Sequence, residues 1–377
     1  MERARLMQER LAYITLNMIE GLGPISVRRL IDTLGSPRAI LEAEREDLMK
    51  ARGVGEKLAL KIITQRDSIE VGAELDKAEA EGARIITRVD EEYPDPLKTI
   101  HNPPLALYIK GQFLPEDEKA LGMVGSRSTS HYGLRAADRL AFQLGQTGFT
   151  VVSGLARGTD TAAHQGALKS EGRTIAVLGG AIDRLYPPEN AALAEQIAQQ
   201  GAVISEYPMG RQADRMTFPY RNRIISGLSM GVLLIESDLK GGSMHTIEAA
   251  MDQGRTVFAL PGRIDLPGAK GPHMLIKNGA KLVQSLDDIL EEYEFLIPAA
   301  ELQGPESASS ARPEVPLTDQ EAKIVKALWN EPLDVDSLAR ALQMKSHELS
   351  GFLLGLEMKR VIRTLPGRMV ELADDLR

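Results

Sequence analysis

Small residues, hydroxyls and arginines recur directly behind short apolar runs in the middle of the chain. Val124 is followed by Gly125, Ser126, Arg127 and Ser128. Val152 is followed by Ser153, Gly154, Leu155, Ala156, Arg157, Gly158, Thr159 and Asp160, with His164 one turn further on. Leu178 leads into Gly179, Gly180, Asp183, Arg184, Tyr186 and Pro187, and Ile204 into Ser205 and Glu206. Ile235 leads into Glu236, Ser237, Gly241, Gly242, Ser243 and Thr246, and Leu260 into Pro261, Gly262 and Arg263. Glycine lets backbone approach a ligand closely, hydroxyls and amides donate to phosphate oxygens, and arginine offers a two-pronged donor. The stretch Phe218-Pro219-Tyr220-Arg221-Asn222-Arg223-Ile224-Ile225 adds aromatic and basic groups. Arg221 and Arg223 can engage phosphates, and Phe218 and Tyr220 can stack on bases. A stacked base contributes about 1–3 kcal/mol. Read singly, each loop is ordinary turn chemistry, Phe218 could be core, and the arginines could pair with nearby acids. Read together, they point to a phosphate-bearing ligand.

Elements that bring such loops to one rim are legible in the same stretch. Residues 120–124, 149–152, 174–178, 202–204, 231–235 and 256–260 are short apolar runs that predict buried strands. Between them, 132–146, 159–169, 189–200, 221–228 and 244–253 carry helical patterns. The alternation predicts an α/β fold with a Rossmann-like, doubly wound, mostly parallel sheet. Ligands of such sheets sit beyond the carboxyl ends of the strands, where all six loops would lie. Ahead of this core, four prolines between Tyr93 and Gly111 argue against a helix, and 105–109 predicts a first or edge strand.

The flanks differ in character. Residues 1–85 read as helical and contain two similar segments, Gly21-Leu-Gly23 and Gly53-Val-Gly55, each followed by a helical run with basic residues. They resemble a pair of helix-hairpin-helix units, although glycine punctuates any helical hairpin. The core is expected over 86–297. Residues 298–316 have almost nothing apolar to bury and predict a linker. Residues 317–377 give three helical stretches and two strand-like runs around Pro366-Gly367, the pattern of a small winged-helix domain.

Composition narrows the function classes. The chain has no cysteine and only six scattered histidines, so no disulfide, thiolate chemistry or metal site is expected. No cofactor is expected either. Gly-x-Gly-x-x-Gly is absent after the first core strand, and no phosphate-loop Gly-x-x-x-x-Gly-Lys-Ser/Thr occurs. No Gly-x-Ser-x-Gly stands as a nucleophile elbow between one of these strands and the helix after it. The amino-terminal twenty residues alternate charge with apolar side chains, and no run is long enough to span a membrane, so a cytoplasmic location is expected. The net charge is −8, yet residues 120–290 hold twelve Arg and five Lys against fifteen acids, a local excess of +2. A local basic patch on an acidic protein is compatible with phosphate binding.

In order along the chain, these segments resemble the DNA-processing protein A (DprA/Smf) family. The matching residues are Val124 to Arg127, Ser153 to Asp160 with His164, Leu178 to Gly180 with Asp183 and Tyr186-Pro187, Ser205-Glu206, Phe218 to Ile225, and Ala259 to Gly262. Leu275-Ile276 and Gly279-Ala280 close the match. The resemblance implies a homodimeric, non-catalytic protein that binds single-stranded DNA and loads the RecA recombinase onto it in natural transformation. It places DNA contacts on Gly125, Ser126 and Arg127, and extends them to Arg184, Arg221 and Arg223. Ser153, Gly154, Arg157, Gly158, Phe218 and Asn222 complete the expected contact set. One segment departs from the family pattern: Gly241-Gly-Ser-Met-His-Thr-Ile-Glu248 resembles the Gly-Gly-x-Gly-Thr-x-x-Glu motif of nucleoside-monophosphate phosphoribohydrolases. Its serine, its histidine and the spacing of Glu248 do not meet that motif, which leaves a nucleotide-cleaving enzyme as the alternative reading.

Overall fold

The computed structural model describes residues 2–294, 317–328, 333–359, 361–365 and 368–372. The expected linker at 298–316 and the turn at Pro366-Gly367 lie outside the described residues. The chain forms two compact units, Met1–Pro305 and Glu306–Arg377.

Six helices open the first unit: α1 (Glu2–Met18), α2 (Pro24–Leu34), α3 (Pro37–Glu42), α4 (Arg45–Leu48), α5 (Glu56–Arg66) and α6 (Val71–Ala80). Gly21 and Gly53 take φ of 82° and 83° and turn the chain into α2 and α5, so the two glycine segments build equivalent hairpins. Pro24 stands in the first turn of α2, where its missing amide costs no hydrogen bond. Ser36 caps α3 by accepting the Ala39 amide at 3.1 Å. Leu16, Leu30, Ile40, Leu48 and Ile62 close a core of their own between these helices.

A nine-stranded sheet follows: β1 (Arg84–Thr87), β2 (Ala106–Gly111), β3 (Ala120–Val124), β4 (Thr150–Ser153), β5 (Thr174–Val177), β6 (Ala202–Ser205), β7 (Gly231–Leu234), β8 (Thr256–Ala259) and β9 (Lys281–Leu282). Its order is β1-β2-β6-β5-β4-β3-β7-β8-β9. Strands β3 to β9 are parallel, whereas β2 runs antiparallel to both β1 and β6. The short helix α7 (Asp95–Lys98) sits between β1 and β2. Helices α8 (His131–Gln146), α9 (Thr159–Lys169), α10 (Ala191–Gln200), α11 (Thr217–Leu228), α12 (Met244–Asp252) and α13 (Lys270–Lys277) cover the two faces. Successive residues of β3 face opposite layers. Leu121 and Met123 meet Leu140 of α8 and Ala163 of α9, while Ala120 and Val124 meet the side that holds Ile225 of α11 and Ile247 of α12. The chain winds outward from β3 through β4, β5 and β6, then resumes on its other side at β7. The topological switch, and with it the ligand crevice, therefore lies beyond the ends of β3 and β7.

The structure corrects two expectations here. The strand over 105–109 is not at the edge: β1 pairs with it from Arg84–Ile109 to Thr87–Ala106. Nor does the helical region end cleanly at residue 85, which lies inside β1. Ile14 of α1 and Ala78 of α6 pack with Tyr108, Ala176 and Val203 of the sheet, and Glu74 accepts the buried Tyr108 hydroxyl at 2.7 Å. The helical region and the sheet share buried surface.

The second unit is the expected winged helix. Helices Asp319–Ala327, Val335–Leu342 and Ser346–Met358 pack on a sheet of order β10-β12-β11, with β10 at Leu333–Asp334, β11 at Ile362–Leu365 and β12 at Met369–Leu372. Leu338, Leu349, Leu356, Val370 and Leu372 form its core. No helix among the described residues is long and apolar enough to cross a membrane.

Candidate nucleic-acid interface

The loop after β3 is held from both sides. On one side it rests on the start of α9, where Thr159 donates its amide and hydroxyl to the Ser126 carbonyl at 3.2 and 3.3 Å. That approach requires glycine twice. A side-chain atom at Gly125 would strike Thr159, and one at Gly158, whose φ is 75°, would strike the Ser126 carbonyl. On the other side the buried Glu236, just past β7, accepts the Thr129 hydroxyl at 2.7 Å and the Ser130 amide and hydroxyl at 2.8 and 2.5 Å. Ser130 in turn caps α8 by accepting the Gly133 amide at 3.1 Å. The backbone of 125–130 is thus fixed, and Arg127 projects from it.

Arg127 faces a cleft of about 510 Å³ that also takes in Ser126, Phe218, Arg215, Asn222, Ser243 and His245. Its guanidinium carbon stands 4.8 Å from the centre of the Phe218 ring. Phe218 lies 6.0 Å from Tyr186, whose ring carries Arg157 at 5.6 Å. Cation, ring, ring and cation follow one another along the rim. Among the described residues, no carboxylate lies within ion-pair distance of Arg127 or of the exposed Arg215. The two acids that could have claimed Arg127 are engaged elsewhere. Asp160 accepts the Gly154 and Ala156 amides at 3.1 and 3.3 Å, and Asp183 lies 3.4 Å from Arg184 and accepts the Gly210 amide at 2.8 Å. Arg157 and Arg184 also reach the rim, half exposed, but each has a partner, Glu189 and Asp183 respectively.

Several expected contacts turn inward instead. Ser153 is fully buried and donates to the Met123 carbonyl at 2.6 Å, tying β4 to β3. Arg223 is clamped by both oxygens of Glu206 at 2.7 and 2.6 Å and donates to the Asn102 carbonyl at 2.9 Å. Neither side chain is placed to meet a ligand, because each has its donors committed in the interior. Arg221 occupies an intermediate position. It borders the cleft floor, yet is 4% exposed and donates to the carbonyls of Gly154, at 2.9 Å, and Val177. Burial pulls its pKa down to about 10, with Asp160 opposing the shift. A side-chain atom at Gly154 would strike this guanidinium, so the glycine makes room for the arginine. Asn222 donates to the Gly242 carbonyl at 3.3 Å and thereby joins α11 to the loop before α12. His164 is structural. The Thr174 hydroxyl donates to the Val151 carbonyl at 2.7 Å, so Nδ1 of His164 must donate to Thr174, also at 2.7 Å. Burial drives the His164 pKa down to about 3.

Helix α11 starts at Thr217, four residues before the expected 221. Asp214 accepts the Met216 and Thr217 amides at 2.7 and 3.0 Å, and the proline at 219 falls in the first turn, where it is tolerated. Phe218 and Tyr220 are therefore set on a helix rather than a loop. The same Asp214 turn presents Arg215, which no spacing pattern singles out. Ser243 and His245 join the cleft from the segment that departs from the family pattern. Glu248 of that segment is exposed, lies 3.1 Å from Nδ1 of His245, and does not itself line the cleft.

Along the chain, a helix-hairpin-helix tandem is thus followed by a Rossmann-like core, whose rim is lined by arginines and aromatic rings, and then by a winged helix. Comparison with known families matches each part. Residues 84–294 match DNA recombination-mediator protein A, 308–368 the DprA winged helix domain, and 13–66 the SAM-like helix-hairpin-helix tandem. The chain belongs to the DNA recombination-mediator protein A (DprA/Smf) family. It is 32% identical to Protein Smf of Synechocystis over 95% of this chain and 98% of that one. It is 40% identical to DNA processing protein DprA of Bacillus subtilis over 56% of this chain and 72% of that one. The crystal structure of DprA from Streptococcus pneumoniae superposes with a TM-score of 0.66 at 35% identity, covering 75% of this chain and 98% of that one. A structure of DNA processing protein A from Helicobacter pylori, described for its single-stranded DNA binding mode, matches with a TM-score of 0.50 at 27% identity over 56% of this chain and 94% of that one.

Proposed function

We propose that the chain holds single-stranded DNA across the cleft beyond β3 and β7. In this reading it acts as a cytoplasmic homodimer that hands the strand to the RecA recombinase in natural transformation, and it binds its ligand without cleaving it. Arg127 beside the rings of Phe218 and Tyr186 carries the reading. Unpaired bases need ring faces on which to stack, and their backbone needs cations whose charge is not already neutralised. A base-paired duplex hides its ring faces in its own stack. The single-stranded DNA binding mode described for the Helicobacter pylori relative supports the same assignment. Titration with single- and double-stranded DNA of equal length at two salt concentrations tests it. The single strand should bind more tightly, with little dependence on sequence and with affinity falling as salt rises. Equal affinity for a matched duplex would overturn the assignment.

A further inference from the structure

A second cleft, of about 370 Å³, opens where α2 of the helix-hairpin-helix region meets the sheet domain, and Arg28, His101, Asp252, Gln253 and Arg255 line it. Arg255 immediately precedes β8, so this cleft lies at the amino-terminal end of the strands, opposite the rim that carries Arg127. Arg28 donates to the His101 carbonyl at 3.0 Å and Arg255 to the Gly227 carbonyl at 3.2 Å. Among the described residues, neither has a carboxylate within ion-pair distance. Several other arginines of this unit do: Arg84 has Glu92, Arg173 has Asp117 and Arg223 has Glu206. Burial lowers the pKa of Arg255, the mark of a charge taken from water without full compensation. The Arg255 Nε and Gln253 Oε1 atoms beneath the cleft are buried with no hydrogen-bond partner among the described residues.

We propose that this cleft binds a phosphate group, carried by a nucleotide or by a nucleic-acid strand. Two arginines line it, and the planar fork of arginine matches a tetrahedral oxyanion better than any other side chain does. Asp252 supplies an acceptor for a sugar hydroxyl or a base amino group beside the phosphate. The volume lies in the range that small-molecule sites occupy. The site is independent of the rim, and it gives the helix-hairpin-helix region a role through Arg28 that its hairpin turns alone do not establish.

The test uses full-length protein carrying Arg127→Ala, which weakens the rim and leaves this cleft intact. Inorganic phosphate, thymidine monophosphate and an oligothymidylate are titrated by calorimetry at low salt, before and after adding Arg28→Gln or Arg255→Gln. At least one probe should bind, and each added substitution should weaken it about tenfold, the loss of one charge-assisted hydrogen bond. Tight monophosphate binding with an unchanged salt slope for the oligonucleotide identifies a nucleotide site. Weak monophosphate binding, with a salt slope that falls by about one per arginine removed, identifies a strand site. If no probe binds, or if all bind equally in the Arg28→Gln protein, the proposal fails. Arg28 is exposed, so its substitution decides the matter even if Arg255→Gln melts early.

Discussion

Arg127 and Arg223 stand on two sides of one structure and show what a buried partner does to a cation. On the rim, Arg127 leaves a rigid loop with a ring 4.8 Å away and, among the described residues, no carboxylate in reach. On the inner side of α11, Arg223 is 5% exposed and bidentate to Glu206. The first has its charge available to a ligand, and the second has given its charge to the fold. The residue type is the same, so the difference lies in which acid the tertiary structure delivers.

The strongest break of this contrast is Arg223→Ala. It leaves Glu206 buried and unpaired, and stability should fall by about 3–5 kcal/mol. A thermal melt that shifts by no more than an ordinary surface substitution would show that the pair is dispensable. On the rim, Arg127→Ala should do the reverse. It should lose about 1–3 kcal/mol of single-strand binding, flatten the salt dependence by about one contact, and leave the melting temperature where it was. Normal melting together with unchanged affinity at two salt concentrations would remove Arg127 from the interface.

The interior beneath the rim offers a pH test. His164 titrates near 6.5 when unfolded but near 3 when folded, so between those values the unfolded chain binds more protons. Its contribution is complete at neutral pH and is lost as pH falls below about 6.5. Denaturant melts should lose about 2 kcal/mol between pH 7 and pH 5 from this group. The His164→Gln protein, compared over the same range, should lose that much less; identical slopes for the two proteins would exclude the assignment. A smaller effect is expected at Arg157. It already has Glu189 on the exposed rim, so Arg157→Ala should weaken single-strand binding less than Arg127→Ala does and should leave the melt unchanged. An effect as large as that of Arg127→Ala would mean that DNA displaces Glu189. The smallest change is expected from ending the chain near residue 297. The sheet unit and the winged helix bury separate apolar clusters, so the cooperative melt of the sheet unit and its single-strand binding should persist.

Much of this arrangement was legible in the sequence because it is local. Strands β3 to β8 are apolar runs bounded by glycine and hydroxyl residues, and the loop after β3 is contiguous with its strand. What could not be read depends on distant partners or on very short elements. Glu206 lies seventeen residues before Arg223, and nothing in the spacing reserves one for the other. Ser153 reads as a loop donor until β3 is placed beside it. The four residues of β1 and the two of β9 are too short for a period to show. The helical pattern is legible only from 221, whereas the turn that starts α11 at Thr217 belongs to Asp214. Arg215 lacks any pattern of its own and is positioned by that same turn.

The pairing of β1 with β2 also bears on how the molecule can be cut. Ala106, Leu107, Tyr108 and Ile109 are all fully buried, and on one side their backbone is satisfied by β1, which the boundary expected at residue 85 divides. A cut at residue 85 would leave a flat, apolar, unpaired strand edge, the kind of surface that templates the addition of another chain. The buried Glu74 would be removed from the Tyr108 hydroxyl at the same stroke. The boundary that looks natural along the sequence is therefore where cleavage would turn a well-behaved protein into a self-associating one.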